Sequence, residues 1–526
     1  MKILRVYSIH FGANLHHSEV GLRGTLFSAL PRFFFLAFLM STSTGWSAGE
    51  LKPSVVEGKD ERGFSASLQP AAKFPNPSKV EISDELGRGV QRTLKSLTDS
   101  QPENKRTVRI LFYGQSITEQ SWSKTVGDSL RQRFPNANLV IENRAIGGFS
   151  SNLLVQTSEA DLYPFYPDLM IFYVYGRHDN YEDIIRSTRQ RTTSQILLQT
   201  DHLNGDAKIE EETDPAKLSM GQWNSWFPNV FIPGIAEKYQ TGMVQQRSLW
   251  KLYARENHLE PRSLTADGVH LNDRGNFLMA SLVDAYLVRR PTDDEPAVEQ
   301  QIRDYPIGPS LAWKDDSLTL PFTGNKIDII AQPGATGSAR VLIDGRKPSE
   351  YPELYTATRS SSFPGTGWPV FSKVLHESPA VLETWTAVVT EISPDFKQFK
   401  FSVEGTVTGK DGSGESGKRF VSNSGRVVIE PEAWNIAYSC ELLRNGTRNS
   451  GTPFTPPDRV TATWQVIPLF VDEYHAPEIS DPTSETLVTL AQGLPNGPHE
   501  LKLLSTEPPA IKALRVYQPP LKAEVP

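Results

Sequence analysis

Three residue types in this sequence could together perform nucleophilic catalysis. Ser116 stands in Phe-Tyr-Gly-Gln-Ser-Ile-Thr directly after an apolar run, and Asp267 stands three residues before His270 in Asp-Gly-Val-His. A serine hydroxyl is a weak nucleophile until an imidazole takes its proton, and that imidazole needs a third group to fix its tautomer and orientation. The residues therefore predict a hydrolase, with Ser116 as nucleophile, His270 as base and Asp267 as the orienting carboxylate.

The elements that must position these residues alternate between strand-like and helix-like patterns from residue 107 to about residue 290. The predicted strands are Val108 to Tyr113, Asn138 to Glu142, Leu169 to Tyr175 and Gln195 to Leu198. The predicted helices are Trp122 to Phe134, Tyr181 to Arg191, Met243 to Asn257 and Asp273 to Val288. This alternation predicts an α/β domain with a doubly wound parallel sheet. Ser116 would then lie at the carboxyl end of the first strand, where such sheets expose reactive groups in a crevice.

The remaining chain divides around that domain. Residues 49–105 are polar and punctuated by proline, and are interpreted as an N-terminal arm with one short helix near residues 84–97. Residues 106–292 form the predicted hydrolase domain. Residues 300–522 carry short β-type runs separated by turn residues, which predict an all-β, sandwich-like accessory domain or two intertwined β units. The glycine-rich stretch 410–417 is interpreted as a mobile hairpin loop, with a calcium loop as the alternative.

The first 48 residues have the pattern of a secretory signal peptide. Four basic residues and one acidic residue accompany the apolar stretch Phe33 to Met40, and small residues follow as far as Ala48. The pattern predicts a secreted or periplasmic protein; a buried amphipathic helix is the alternative. Cys440 is the only cysteine, so the exported chain would have no internal disulfide.

Composition excludes several classes of function. The 526 residues are 38% apolar and 22% charged, and no later segment approaches the roughly 18 apolar residues of a membrane span. Loss of the leader would take the net charge from −7 to −10, and the basic residues are scattered, which argues against nucleic acid as a partner. There is no His-Glu-x-x-His motif and no cysteine pair, so no catalytic metal and no cofactor are predicted. No pattern indicates an oligomeric state.

Four sequence blocks in order resemble those of the SGNH, or GDSL-type, hydrolases, over the α/β half only. The blocks are Gly114-Gln-Ser116-Ile, Asn143-Arg-Ala-Ile-Gly-Gly148, Gly176-Arg-His178-Asp and Asp267-Gly-Val-His270. The resemblance implies an esterase with a flavodoxin-like, three-layer α/β fold. It also implies the triad Ser116, Asp267 and His270, with the backbone N–H groups of Ser116 and Gly148 in the oxyanion hole.

Two blocks depart from the family pattern. The usual Gly-Asp-Ser is Gly-Gln-Ser here, and the usual Gly-x-Asn-Asp is Gly-Arg-His-Asp. The family asparagine helps to hold the oxyanion, and an imidazole N–H can donate a hydrogen bond in place of an amide. His178 is therefore predicted to be the third oxyanion donor. The alternatives are a histidine with a purely structural role, or Asn180 as the donor.

A second Asp-x-x-His pattern occurs in the all-β half, at Asp472 and His475. The pair Asp267 and His270 is preferred because Leu271-Asn-Asp-Arg-Gly follows it and opens a predicted helix. His475 is instead followed by Ala-Pro and has the pattern of a strand end.

The substrate is inferred from the predicted secretion, the acidic composition and five tryptophans of the all-β half, at positions 313, 368, 385, 434 and 464. Exposed tryptophans stack on sugars, although most are expected in the core. Exported relatives in the family often remove acetyl groups from glycans, so the resemblance implies a carbohydrate O-acetylesterase that acts through an acyl-enzyme. Its partner would be an ester-bearing small molecule or an acetylated polysaccharide. The alternatives are a lipase or arylesterase, and a noncatalytic carbohydrate-binding protein with a degenerate pocket.

Overall fold

The structure is a computed structural model that describes residues 73–78, 85–290, 300–360, 368–436 and 456–522. The predicted signal peptide and most of the predicted arm lie outside the described residues. The helix predicted near residues 84–97 is present as α1, Gln91–Thr98. No helix among the described residues is both long and apolar enough to cross a membrane.

Five parallel strands form the sheet of the α/β part. They are β1 Thr107–Gly114, β2 Asn138–Asn143, β3 Leu169–Tyr173, β4 Gln195–Gln199 and β5 Gly242–Val244. Their spatial order is β2-β1-β3-β4-β5, with every pairing parallel. This is the flavodoxin-like order of a doubly wound sheet, which confirms the predicted fold class.

Helices cover both faces of this sheet. After α1 they are α2 Ser116–Glu119, α3 Ser121–Arg133, α4 Ser151–Asp161, α5 His178–Arg191, α6 Trp223–Trp226, α7 Ile232–Tyr239, α8 Gln246–Glu256 and α9 Asp273–Tyr286. Within β1, Ile110 and Phe112 join the core under α3, α8 and α9, whereas Leu111 and Tyr113 join the core under α4, α5 and α7. Because both faces of the strand are buried, β1 is apolar at nearly every position rather than at alternate ones.

Five elements of the α/β part were not predicted, namely α2, α4, α6, α7 and β5. Met243 was expected to begin a helix but lies in β5, paired in parallel with Leu198, and α8 begins only at Gln246. A strand of three residues is too short to show a period of its own. Helix α4 was not predicted, because its buried residues include Ser151, Thr157 and Ser158 rather than a regular apolar stripe.

The second part of the chain is all-β, as predicted. Its strands are β6 Ile302–Pro306, β7 Ser317–Ala331, β8 Ser338–Ile343, β9 Tyr355–Ala357, β10 Thr384–Thr390, β11 Lys400–Gly405, β12 Gly409–Glu415, β13 Phe420–Val421, β14 Val428–Ile429, β15 Arg459–Pro468, β16 Glu473–His475, β17 Leu487–Leu504 and β18 Ile511–Tyr517. One antiparallel sheet has the order β16-β8-β17-β7-β18-β6 and another has the order β12-β11-β10-β15-β9. The second sheet is inserted in the chain between β8 and β16, and each sheet has its own apolar core.

The glycine-rich stretch 410–417 was expected to be a mobile loop, and this interpretation was wrong. Most of it belongs to β12, which pairs antiparallel with β11. Asp411 is buried and its carboxylate accepts hydrogen bonds from the N–H and the hydroxyl of Ser424. A Cβ at Gly414 would lie 2.6 Å from the ring of Phe401. The glycine here allows an aromatic ring to pack across the strand.

Candidate active site

Ser116 lies at the carboxyl edge of the parallel sheet. It is the first residue of α2, two residues after the end of β1, and it is only partly buried. The preceding Gln115 is still extended, so the chain turns sharply from strand to helix at this point. The first N–H groups of a helix have no acceptor within the helix.

A hydrogen-bonded chain joins the three residues predicted to form a triad. The Oγ of Ser116 lies 3.0 Å from Nε2 of His270, and Nδ1 of His270 lies 2.8 Å from Oδ2 of Asp267. The side chain of His270 is 32% exposed, so the chain opens to solvent. The fold thus brings together residues 154 positions apart in the sequence, with the donor and acceptor order that general-base activation of a serine requires.

The turn 267–270 is fixed by its own carboxylate. Oδ1 of Asp267 accepts the backbone N–H groups of Val269 and His270 at 2.9 and 2.8 Å. Burial raises the pKa of Asp267, but the hydrogen bonds from His270 and from these two amides lower it, and the net pKa is below its ordinary value. Asp267 is therefore ionised at neutral pH, as the group that orients an imidazole should be.

Gln120 ties the helix that carries Ser116 to the segment that carries His270. Its Oε1 accepts the N–H of Leu271 and its Nε2 donates to the carbonyl of the same residue, both at 2.9 Å. Leu271 directly follows His270. The sequence analysis did not find this residue, because a glutamine at the end of a short helix carries no signal until its distant partner is known.

His202 holds the same turn from the other side. His202 begins the segment 202–228, whose polar and irregular sequence predicts a surface insertion, but His202 is 5% exposed. Its Nε2 lies 2.9 Å from the carbonyl of Val269, and its Nδ1 lies 2.7 Å from the hydroxyl of Tyr173. Burial, together with the charge of Arg247, lowers its pKa to about 4 despite the bond to Val269. His202 is therefore neutral at pH 7, with Nε2–H donating to Val269 and Nδ1 accepting from Tyr173.

A sequence signal for His202 existed, because it follows the carboxyl end of β4 by three residues. That is the edge of the sheet where functional side chains of such folds collect.

Residues 144–149, here called the Gly148 loop, follow β2 and carry the predicted backbone donor. The N–H groups of the other loop residues have acceptors: Arg144 to the Phe112 carbonyl, Ala145 to the Asn143 side chain, Ile146 to the Gly114 carbonyl, Gly147 to the Glu119 carboxylate and Phe149 to the Ile146 carbonyl. Among the described residues no acceptor is found for the N–H of Gly148 or for that of Ser116. Gly148 has φ +80°, a conformation that favours glycine. Within the described residues the loop therefore leaves the Gly148 N–H without an acceptor, and the preceding Ile146 and Gly147 are bonded to Gly114 and Glu119, which lie on either side of Ser116 in the chain.

His178 begins α5, and its ring packs against aromatic side chains. The ring centroid lies 5.8 Å from both Trp223 and Trp226 and 5.7 Å from Phe231. Neither ring nitrogen has a hydrogen-bond partner within the part of the chain that the structure describes. The role of His178 as an oxyanion donor stays a prediction, and so does the alternative of Asn180, whose N–H is bonded to Asp179.

An aromatic wall stands beside His178, formed by α6 and the turn that follows it. It consists of Trp223, Trp226, Phe227 and Phe231, whose rings stack or tilt against one another at 4.8 to 5.7 Å. Trp223 and Trp226 are half-buried, so part of each indole faces solvent. Tyr175, three residues before His178, is 42% exposed. Trp223, Trp226 and Phe227 fall within the segment 202–228, which was predicted to be a polar insertion, so the aromatic wall was not predicted.

The competing Asp-x-x-His pattern does not form a pair. Both carboxylate oxygens of Asp472 are bonded to Ser349, at 2.8 Å to its N–H and 2.6 Å to its hydroxyl. His475 is 72% exposed and its nearest acidic partner is Glu473, at 3.8 Å. Asp472 is thus a structural turn residue.

Most tryptophans of the all-β part lie in its core, as expected. Those at positions 368, 385 and 464 are buried, and those at 313 and 434 are half-buried against other core residues. Within the described ranges, no three His, Cys, Asp or Glu side chains are grouped as a metal site would require.

No protein-family model matches the chain, and no curated protein matches it. Solved structures with a similar chain course include a two-domain esterase, CEX, active on acetylated mannans. The identity to it is 14%, the alignment covers 83% of this chain and 96% of that chain, and the TM-score is 0.32. An acetylxylan esterase, Axe2, from Geobacillus stearothermophilus shows 19% identity over 36% and 96% of the two chains, with a TM-score of 0.29. A putative GDSL-like lipase from Parabacteroides merdae shows 19% identity over 35% and 98%, with a TM-score of 0.28. Identities and scores this low do not assign the chain to a family.

Proposed function

We propose that this protein is a serine esterase that hydrolyses carboxylic esters, with O-acetyl groups on a carbohydrate as its substrate. The observation that carries the proposal is the continuous hydrogen-bonded order Ser116, His270, Asp267 at the open edge of the parallel sheet. Two backbone N–H groups without an acceptor, those of Ser116 and Gly148, support it, because acyl transfer needs donors aimed at the developing oxyanion.

The first half-reaction forms an acyl-enzyme. His270 Nε2 takes the hydroxyl proton of Ser116 while Oγ bonds to the ester carbonyl carbon, and the carbonyl oxygen becomes an oxyanion held by the N–H groups of Ser116 and Gly148. Asp267 keeps the imidazole in place and stabilises its positive charge. When the intermediate collapses, the bond to the alkoxy oxygen breaks and the alcohol leaves with the proton from His270.

The second half-reaction uses the same groups with water. His270 takes a proton from the water while its oxygen bonds to the acyl carbon, and the oxyanion forms again at the same donors. The bond to Ser116 Oγ then breaks, Oγ recovers the proton from His270, and the carboxylic acid is released.

His178 is proposed as a third donor. Packing against the aromatic wall restricts its ring, and a neutral imidazole has one N–H to offer. The loop Tyr175 to Arg177 that precedes it is bonded to the first residue of α4, since Ser151 donates its N–H to the Tyr175 carbonyl and its hydroxyl to the Arg177 carbonyl. Ser151 follows Gly148 by three residues. Hydrogen bonds therefore connect the segment that precedes His178 to the segment that follows Gly148.

The carbohydrate assignment rests on the aromatic wall. Half-buried indole rings present apolar faces on which the C–H face of a sugar can stack. The neighbouring ion pair of Arg177 and Asp179 is exposed and can meet hydroxyl groups. This wall replaces the tryptophans of the all-β part as the proposed sugar platform.

The test measures acetate release from acetylated mannan and acetylated xylan, together with hydrolysis of p-nitrophenyl acetate. We expect Ser116→Ala to reduce the rate by about 10⁴-fold or more, because the bond-forming atom is lost. A fluorophosphonate should modify wild-type protein at Ser116, as located by mass spectrometry.

The competing functions predict different results. Glycan binding without any esterase rate, or a rate unchanged in Ser116→Ala, would establish a noncatalytic binding protein. Hydrolysis of long acyl or aryl esters only, with no acetate from either glycan, would contradict the carbohydrate assignment and indicate a lipase or arylesterase.

A further inference from the structure

A charged side chain of the all-β part reaches the Gly148 loop. Arg359 follows β9 by two residues, and its guanidinium Nη2 donates to the carbonyl of Arg144 at 3.3 Å. Its Nε donates to Oδ1 of Asp161 at 3.1 Å, and Nη2 lies 2.7 Å from Oδ2. The side chains of Arg359 and Asp161 are 19% and 6% exposed, so this pair is largely shielded from water. Arg359 therefore joins the first residue of the loop to the end of α4.

An aromatic side chain of the all-β part contacts the other end of the loop. Trp368 packs edge-on against Phe149, with 5.6 Å between ring centroids, and is 9% exposed. It lies in the same apolar cluster as Leu154 of α4 and Tyr181 of α5. The core on this face of the sheet is thus completed by a residue from the second part of the chain.

The α/β part holds the loop mainly from the inside. The N–H groups of Arg144 and Ile146 continue the pairing with the carbonyls of β1, and Gly147 is bonded to Glu119. On the outside, the Arg144 side chain donates to the Asp161 carbonyl at 2.7 Å, and Arg359 completes that network. The two ends of the loop, residues 144 and 149, both carry contacts from the all-β part.

We propose that Arg359 and Trp368 are positioning residues for the Gly148 N–H, so that the all-β part takes part in catalysis at the candidate site. This inference rests on the function proposed above. Complete loss of an oxyanion donor costs about 10²- to 10³-fold in kcat, and a shift of about 1 Å in such a site has effects of similar order. A loosened loop should therefore lower kcat by about tenfold without changing KM.

The experiment compares Arg359→Lys with Lys373→Met in the full chain. The lysine keeps a positive charge for Asp161 but loses the planar fork that also reaches the Arg144 carbonyl. Lys373 is another cation of the all-β part, paired at 3.3 Å with Glu159 of α4, and among the described residues it has no hydrogen bond or ion pair with the Gly148 loop. We expect kcat to fall about tenfold for Arg359→Lys at unchanged KM, and to remain unchanged for Lys373→Met.

A second pair of variants covers the case in which Arg359→Lys does not fold. Trp368→Phe keeps a ring against Phe149 and should stay close to wild type, whereas Trp368→Leu should lower kcat about tenfold. Hydrogen exchange of the peptide that spans residues 144–149 supplies a readout independent of activity. It should become faster in Arg359→Lys and Trp368→Leu and not in Lys373→Met.

The outcomes separate the inference from the proposed function. Wild-type kcat and unchanged exchange in Arg359→Lys and Trp368→Leu, alongside an inactive Ser116→Ala, would overturn the inference and leave the esterase standing. Absence of esterase activity and of fluorophosphonate labelling in the wild type would overturn the proposed function and, with it, the catalytic role of the all-β part. Equal loss of kcat in Lys373→Met would reduce both residues to general structural contacts.

Discussion

The chain contains the pattern Asp-x-x-His twice, and the aspartate and histidine are hydrogen-bonded to each other in only one of these two copies. In the α/β part, Asp267 and His270 lie 2.8 Å apart in a turn at the edge of the parallel sheet. In the all-β part, Asp472 bonds to Ser349 while His475 projects into solvent from β16. Identical spacing thus produces a hydrogen-bonded pair in one region and two unrelated residues in the other.

The difference comes from the backbone between the two residues. In a turn, the aspartate can accept the N–H groups two and three residues ahead, which brings the two side chains together. In an extended strand the chain rises about 3.3 Å per residue and side chains alternate between faces, so residues three apart point to opposite sides. Asp472 immediately precedes the strand that ends at His475. A sequence motif is therefore informative only together with the element that carries it.

The largest expected effect comes from replacing the aspartate of each Asp-x-x-His pair by asparagine. Asp267→Asn should lower kcat about 10³- to 10⁴-fold, because the amide would favour the wrong tautomer of His270. Asp472→Asn should leave kcat unchanged and cost about 1 kcal/mol in the free energy of unfolding, because it weakens the bonds to Ser349. Steady-state kinetics and urea denaturation of both variants check this. Equal kinetic loss in the two would mean that the wrong pair was assigned.

An intermediate effect concerns the pH dependence of stability, since the buried His202 holds the turn 267–270 whereas His475 at the end of β16 is 72% exposed. The folded pKa of His202 is about 4, below its unfolded value of about 6.5. Between these pH values the unfolded chain binds more protons, so the contribution of His202 to stability is complete above pH 6.5 and is lost as the pH falls toward 4. The loss should amount to about 2 to 3 kcal/mol.

The measurement is the free energy of unfolding from pH 4 to pH 7.5 in wild type and in His202→Gln. The glutamine amide can still donate to the Val269 carbonyl but does not titrate. The free energy of unfolding of the wild type should therefore fall relative to that of the variant as the pH is lowered. His475→Gln is the matched control, because its side chain is 72% exposed. Parallel curves for wild type and His202→Gln would contradict the assignment.

The smallest expected effect comes from removing the hydrogen bonds between Gln120 and Leu271, which support only the pair Asp267 and His270. Gln120→Ala leaves the triad intact but frees Leu271 from α2. We expect kcat to fall about tenfold, since the base is held less precisely against Ser116. Ser349→Ala, which removes a hydroxyl bonded to the second pair, should not change kcat. A Gln120→Ala enzyme with wild-type kcat would show that the turn is rigid without this tie.

Much of the α/β fold was accessible from the sequence. Four of its strands contain continuous apolar runs, because both faces of the sheet are covered, and such runs need no knowledge of distant residues. Helix α4 was not predicted because it buries small polar residues, and strand β5 was not predicted because it has only three residues. Both depend on tertiary partners for their stability rather than on a period of their own.

The candidate site divides in the same way. The sequence indicated Ser116, Asp267 and His270 through motif order, and Gly148 through its distance from Asn143. It did not indicate Gln120 or the aromatic wall, because each of these acts on a residue that is far away in the chain, and its only signal for His202 was the position three residues after β4.

The sequence by itself determined the residue types, the order of the blocks and the alternation of strands and helices, since these are local properties of the chain. The tertiary structure alone decided that the preferred Asp-x-x-His pair lies within hydrogen-bond distance of the serine, that the Gly148 N–H has no acceptor among the described residues, and that Arg359 and Trp368 reach the same loop. The physical reason is that hydrogen bonds and ring contacts act over a few ångströms, and only the folded chain brings residues more than 150 positions apart within that distance.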